Sequence, residues 1–147
     1  MSKIFAGLLV LVLGATPSLA SLGQSVQSVH QDRQRMAGEM RSATFESYSV
    51  HEISAAGGTV VREYVSPAGN VFGVVWEGPA MPDLSQLLGA YFPHFRDSVA
   101  AHPHRRGPVY VQSGSLVIES GGHMRAFRGR AYLTNLIPSN LNKDVVR

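Results

Sequence analysis

Three β-forming stretches separated by short turns are the feature that most constrains the fold of this chain. The stretches are residues 45–53, 59–65 and 71–76, and each is rich in β-branched or aromatic side chains. The turn at 55–58 reads Ala-Ala-Gly-Gly, and the turn at 66–70 reads Ser-Pro-Ala-Gly-Asn. Proline presets φ in a turn, while glycine and asparagine accept positive φ. Short loops between consecutive strands therefore predict an antiparallel meander.

The third stretch predicts a central strand. Strict alternation places Phe72, Val74 and Trp76 on one side, and Val71 and Val75 on the other. Apolar residues on both sides of a strand indicate that both of its faces are buried. Phe72 and Trp76 are accordingly predicted as core residues, because large aromatic side chains usually anchor cores.

An amphipathic helix is predicted after the meander. Asp83 can cap its first turn, since an aspartate side chain accepts hydrogen bonds from the free N–H groups there. Leu84, Leu87, Leu88 and Tyr91 then fall at i, i+3, i+4 and i+7, which is one side of a helix. We expect this apolar side to lie across the sheet.

The part after the helix predicts more strands. Two short strands lie within residues 109–119, the Ser-Gly-Gly at 120–122 predicts a hairpin turn, and residues 123–128 return. Gly129 should break this pairing, and residues 131–137 allow one further strand. The predicted fold class is therefore α+β: an antiparallel sheet of about five strands in the order β-β-β-α-β-β, with a helix packed on one face and a weakly patterned N-terminal helix.

The first twenty residues have the three-part form of a secretory signal peptide. They hold 13 residues of the hydrophobic class, and residues 4–13 contain no polar side chain. Small residues at Ser18 and Ala20 fit the cleavage signal, so cleavage is predicted between Ala20 and Ser21. The apolar run is about half the ~20 residues that a transmembrane helix needs. We therefore expect no membrane span once the leader is removed, and a periplasmic or secreted protein.

The chain divides into four predicted segments. They are a signal peptide at 1–20, a polar and partly helical segment at 21–43, one α+β domain at 44–137, and a C-terminal tail at 138–147. The chain contains no cysteine. Iron–sulfur clusters and thiolate zinc sites are excluded, because cysteine supplies their ligands, and no cofactor is predicted.

Charge is unevenly distributed along the chain after the leader. Residues 21–93 carry four bases and seven acids, whereas residues 94–147 carry eight bases and three acids. Such asymmetry is typical of chains that meet an anionic partner. It also fits surface arginines that pair with acids of the first part. Nucleic acid is not expected as the partner, because the sequence shows neither a nucleic-acid-binding motif nor aromatics interleaved with basic residues.

Several stretches resemble an uncharacterised family of exported proteobacterial proteins that is catalogued only as a domain of unknown function. They are residues 62–79 (REYVSPAGNVFGVVWEGP), 82–89 (PDLSQLLG) and 121–129 (GGHMRAFRG). The resemblance covers nearly the whole chain after the leader. It implies a location in the Gram-negative envelope or outside the cell. It implies no activity, cofactor or catalytic residue.

Histidines supply one chemical hypothesis. His102 and His104 are separated by one residue, and His94 lies eight residues before His102. Imidazole is the commonest metal ligand, so these three residues are the candidate metal ligands of a metal-binding protein or a metal-dependent enzyme. The alternative is an exposed loop with ordinary histidines, favoured because Arg105 and Arg106 follow the pair and would repel a cation.

Arginines supply the other hypothesis. Within residues 121–130, alternation places Arg125 on one face beside Phe127, and Arg128 and Arg130 on the other. Guanidinium groups bind carboxylate or phosphate with two hydrogen bonds. The alternative is a sheet edge protected by charge. We favour a non-enzymatic envelope protein that binds a protein or an anionic ligand; the sequence leaves catalysis undecided. A third possibility is an assembly factor that pairs an exposed strand with a partner.

Overall fold

The computed structural model describes residues 21–104 and 106–147. In this part of the chain, seven strands form one antiparallel sheet. The strands are β1 Glu39–Thr44, β2 Ser49–Ser54, β3 Val60–Val65, β4 Val71–Gly78, β5 Val109–Ser113, β6 Leu116–His123 and β7 Ala126–Leu133. The helices are α1 Gln27–Arg35, α2 Leu84–Leu88 and α3 Phe92–Ala101, with single 3-10 turns at Gly89–Tyr91 and Lys143–Val145.

The sheet joins two meanders. Strands β1 to β4 pair in sequence, and so do β5 to β7, which gives the spatial order β1-β2-β3-β4-β7-β6-β5. Helices α2 and α3 connect the two meanders, and the second runs back so that β7 pairs with β4. Strands β4 and β7 therefore lie at the centre, while β1 and β5 form the edges.

The prediction of about five strands in the order β-β-β-α-β-β is wrong. The observed order is β-β-β-β-α-β-β-β, although the class remains α+β-like. The stretch at 45–53 was predicted as one strand, but β1 ends before it and β2 begins within it. Between them the chain reverses, and the amide of Phe45 donates to the carbonyl of Tyr48 at 2.8 Å.

The second meander also differs from the prediction. Gly129 was expected to break the pairing, yet it lies inside β7, which runs unbroken through it. The hairpin turn was expected at 120–122, yet β6 continues to His123 and the chain reverses at Met124 and Arg125, where Arg125 has φ +65°. A Cβ at Gly122 would lie 2.1 Å from the carbonyl oxygen of Ala126. Glycine is thus required for the close approach of two strands rather than for the turn itself.

The helices cover one face of the sheet, here called the helix face. α1 contributes Val29, and α2 contributes Leu84, Leu87 and Leu88, all of them buried with Trp76 of β4 in one cluster. Asp83 caps α2 as predicted, because its carboxylate accepts from the amides of Ser85 and Gln86. The three leucines of the predicted stripe are confirmed as core residues, whereas Tyr91 lies beyond the end of α2 and is only partly buried against the same cluster.

The second face, here called the groove face, carries its own apolar cluster. A bulge between β3 and β4 interrupts the alternation, so Phe72 packs with Tyr64 and Val75 rather than with Trp76. The prediction that Phe72 and Trp76 share a side is therefore wrong, although both side chains are fully buried as expected.

The C-terminal segment packs on part of the groove face. Val146 is completely buried, and a Cβ at Gly73 would lie 2.8 Å from one of its methyl carbons. The hydroxyl of Tyr64 donates to a main-chain oxygen of Arg147 at 2.5 Å. The segment predicted as a tail at 138–147 thus covers one half of this face and leaves the other half open.

The N-terminal segment joins the sheet directly. The amide of Gly23 donates to the carbonyl of Val71, and the amide of Val71 donates to the carbonyl of Gln24, both at 2.8 Å. The predicted leader at 1–20 lies outside the described residues. Within the described residues, no helix is long and apolar enough to cross a membrane.

Candidate anion-binding groove

A row of seven side chains, five of them charged, crosses the groove face, with one residue on each strand. The pairing registers place one residue of each strand in this row, in the order Arg41, Glu52, Arg62, Val75, Arg130, Glu119 and Tyr110. Val75 lies at the centre, an arginine flanks it on each side, and a glutamate lies outside each arginine. Because adjacent strands are about 4.8 Å apart, the two flanking arginines have Cα atoms about 10 Å apart.

Each flanking arginine is held by its outer glutamate. Arg62 donates through Nε to Glu52 at 2.9 Å, and Arg130 donates through Nε to Glu119 at 2.7 Å. Arg130 also donates through Nη1 to the carbonyl of Val146 at 3.1 Å. The hydrogen bond that Arg130 donates to Glu119 raises the pKa of Arg130 above its ordinary value. A guanidinium has five N–H donors, so both groups retain donors for a further partner.

The open half of the face forms a groove of about 380 Å³ around this row. Arg62, Arg128, Arg130 and Arg147 all line it, and Val75 lies among them. Among the described residues, neither Arg128 nor Arg147 makes an ion pair within 4.0 Å. The groove therefore combines two arginines fixed by glutamates with two whose charge is not neutralised by contact.

A second cavity of about 400 Å³ adjoins the groove at the β6–β7 hairpin. Arg125, Phe127 and His123 line it, and it shares Glu77 and Arg128 with the groove. Glu77 and Arg128 are register partners on β4 and β7, but no ion pair joins them. Arg128 thus lies where the two cavities meet.

The structure places the three predicted arginines along one continuous surface. Arg128 and Arg130 line the groove, and Arg125 lines the adjoining cavity. Sequence reasoning missed Arg62 and Arg147. Alternation along β3 places Arg62 on the same side of the sheet as Tyr64, and this can be predicted from the sequence. The proximity of Arg62 to Arg130 depends on the pairing of β4 with β7, which no local sequence pattern indicates.

The predicted histidine ligands are not brought together. His94 lies near the start of α3 and His102 just beyond its end, and a separation of eight residues along a helix is about 12 Å. All three histidines are exposed, and His102 directs Nδ1 to the carbonyl of Ser98 at 3.1 Å. Among the described residues, no group of three or more His, Asp or Glu is arranged to hold a metal ion. This arrangement does not support the hypothesis that these three histidines bind a metal ion.

Comparison with known proteins gives a family and no activity. A family described as "Protein of unknown function (DUF2844)" matches residues 18–146. No curated protein matches the chain, and no solved structure matches it. The resemblance to a family of unknown function is thereby confirmed, whereas the proteobacterial origin stays a prediction.

Proposed function

Because the chain belongs to this family of proteins of unknown function, whose description assigns no activity, we propose a function from the groove: an exported, non-enzymatic module that binds an anionic ligand. The observation that carries the proposal is the convergence of Arg62, Arg128, Arg130 and Arg147 on one groove. Guanidinium groups are the usual partners of carboxylates and phosphates, because their planar N–H donors match those oxygens.

The glutamates make the groove selective. Glu52 and Glu119 hold Arg62 and Arg130 in place, so these side chains lose little further freedom when a ligand binds. The same glutamates offset part of the positive charge of the groove, so a single small anion gains little binding free energy there. A ligand whose anionic groups reach both arginines, with its apolar part over Val75, gains the most binding free energy.

Export is part of this proposal. The polar start, the apolar stretch at 4–13 and the small residues at Ser18 and Ala20 support a cleavable leader. The mature protein would then begin at Ser21 and work in the periplasm of a Gram-negative cell or outside it. Anionic groups there occur on proteins, lipid headgroups and acidic glycans, and all of them present the carboxylate or phosphate that arginine binds.

The test is a titration of the mature protein with citrate and with inorganic phosphate, followed by NMR of the arginine Nε–Hε groups. Binding in the groove predicts shifts of the Arg62, Arg128 and Arg130 signals, larger with the multivalent citrate than with phosphate. The signal of Arg96, which lies on α3 away from the groove, serves as the internal control. Equal shifts at Arg96, or none at the groove arginines, would refute the proposal.

A further inference from the structure

Three polar side chains meet under α1 in the interior of the helix face. Ser21, Asp32 and Glu63 are 0%, 1% and 0% exposed, and they come from the N-terminal segment, α1 and β3. The Ser21 hydroxyl contacts both a carboxylate oxygen of Asp32 and one of Glu63. Gln86 of α2 donates through Nε2 to the other oxygen of Asp32 at 2.6 Å.

This cluster is short of donors and of positive charge. A serine hydroxyl has one proton and can donate to one carboxylate at a time. Oε2 of Glu63 is buried and has no hydrogen-bond partner. Among the described residues, no Arg, Lys or His makes an ion pair with Asp32 or Glu63. Buried carboxylates without a cation are costly, so the arrangement calls for a cation with several donors.

Histidine does not supply that charge. His51 is the register partner of Glu63 on β2, and it shares a hydrogen bond with the hydroxyl of Ser42 at 2.7 Å. Burial, and then the proximity of His30, lower the pKa of His51. That shift disfavours the charged imidazole, and His51 makes no ion pair with Glu63 or Asp32.

The main-chain nitrogen of Ser21 lies beside the cluster. Covalent geometry keeps it roughly 3 to 4 Å from the serine hydroxyl oxygen that touches both carboxylates. The chain is anchored immediately afterwards, because the amide of Leu22 donates to the carbonyl of Leu87 at 3.2 Å and that of Gly23 to Val71 at 2.8 Å. A charge on this nitrogen would be fixed close to both acids.

We propose that the α-ammonium of Ser21, released when the leader is cleaved, is the cation of this site and pairs with Asp32 and Glu63. The inference rests on the export part of the proposed function and is independent of the groove. Hydrolysis of the Ala20–Ser21 amide by water yields a carboxylate on Ala20 and an amine on Ser21, which takes up a proton. The ammonium brings three N–H donors and one positive charge to the two acids.

Cleavage of the leader then stabilises the fold. Before cleavage, burial and the neighbouring carboxylate of Asp32 raise the pKa of Glu63, because the charged form of Glu63 has no cation beside it. After cleavage, the ammonium offsets the repulsion between the two acids and donates hydrogen bonds to them. The processed chain is therefore the more stable one, and its N-terminus is bound into the core rather than left free.

The first test uses the reactivity of the amine. The chain has two lysines, Lys3 in the leader and Lys143, so Lys143→Arg leaves the α-amine as the sole amine of the mature protein. This variant is made as the full chain, purified from the periplasm, and labelled with acetic anhydride over a range of pH. We expect labelling at least about tenfold slower than in urea-unfolded protein, and an α-amine pKa above the ordinary ~7.7 to 8.0. Labelling at the unfolded rate with an ordinary pKa would overturn the proposal.

The second test uses the direction in which two substitutions change the stability of the protein. With the ammonium present, Glu63→Gln and Asp32→Asn each remove an ionic partner, so the folding equilibrium constant should fall at least about tenfold. Without it, each substitution relieves a buried carboxyl pair and leaves the protein equally or more stable. Glu39→Gln, on the exposed edge strand β1, is the matched control and should change little.

The intact mass of the periplasmic protein separates the possible failures. A mass that begins at a residue other than Ser21 overturns this inference together with the export part of the proposed function, and leaves the groove untouched. A mass that begins at Ser21 with a freely reactive amine overturns this inference alone. Loss of anion binding in the groove bears on neither result.

Discussion

The indole of Trp76 lies directly against Gly129, its register partner on β7. A Cβ built at Gly129 would fall 2.2 Å from Cζ2 of Trp76 and 2.6 Å from the carbonyl oxygen of Glu119. Two central strands therefore meet at a position that only hydrogen can occupy. The fully buried indole fills the space above the glycine and continues the core of the helix face.

Gly129→Ala is expected to destabilise the protein by about 3 kcal/mol, because the added methyl group must displace a buried ring or a strand. The free energy of unfolding from urea titration measures this effect. Gly57→Ala is the matched control, since a Cβ there meets nothing within 4 Å. Similar losses from the two substitutions would contradict the proposed contact.

The same glycine explains why β7 was predicted as two separate pieces. Glycine within a strand usually indicates a bulge or a break, so residues 123–128 and 131–137 were separated at Gly129. Its real role depends on Trp76, which lies 53 residues earlier in the chain. Local patterns did identify the α+β class, the β3–β4 hairpin and the capped helix α2. They did not identify β1, whose residues are mostly exposed and polar and give no apolar alternation.

Val146→Ala is expected to cost about 2 kcal/mol, because the substitution empties a buried site over Gly73 on the groove face. Thermal or urea unfolding measures the loss. Val99→Ala, on the exposed side of α3, removes the same two methyl groups and should be close to neutral. If Val146→Ala lowers the free energy of unfolding as little as Val99→Ala does, the C-terminal segment does not stabilise the sheet.

The stability of a protein whose Ser21 amine is blocked should depend on Glu63. Burial, followed by the charge of Asp32, raises the pKa of Glu63 well above its usual 4.5. A carboxyl whose pKa is raised by folding contributes stability that is complete below about 4.5 and is lost as pH rises through the folded pKa. The acetylated Lys143→Arg protein should therefore lose stability with rising pH in this window.

The control for this pH dependence is the same acetylated protein with Glu63→Gln. Its stability should lack the loss with rising pH that the titration of Glu63 causes. Urea titrations at several pH values compare the two proteins. Because the substituted position cannot titrate, the difference between the two curves isolates the contribution of Glu63. Parallel curves would show that Glu63 keeps an ordinary pKa when the amine is blocked.

The candidate site was only partly predictable for a similar reason. Arg125, Arg128 and Arg130 lie within six residues of one another, so their grouping was visible in the sequence. Arg62 joins them through two strand pairings, and Arg147 through the packing of Val146 on Gly73. Both relationships are long-range, and neither has a local signal. The cluster of Ser21, Asp32 and Glu63 was missed because each of these residues is ordinary in its own segment.

The most direct test of the groove is the affinity of the mature protein for citrate, measured by calorimetry for matched variants. Arg128→Gln removes an unpaired charge from the groove, whereas Arg96→Gln removes the same charge from α3. We predict that Arg128→Gln weakens binding at least about tenfold, as expected for a lost charge-assisted hydrogen bond, and that Arg96→Gln leaves it unchanged. Equal affinities for the two variants would contradict an anion-binding function for this groove.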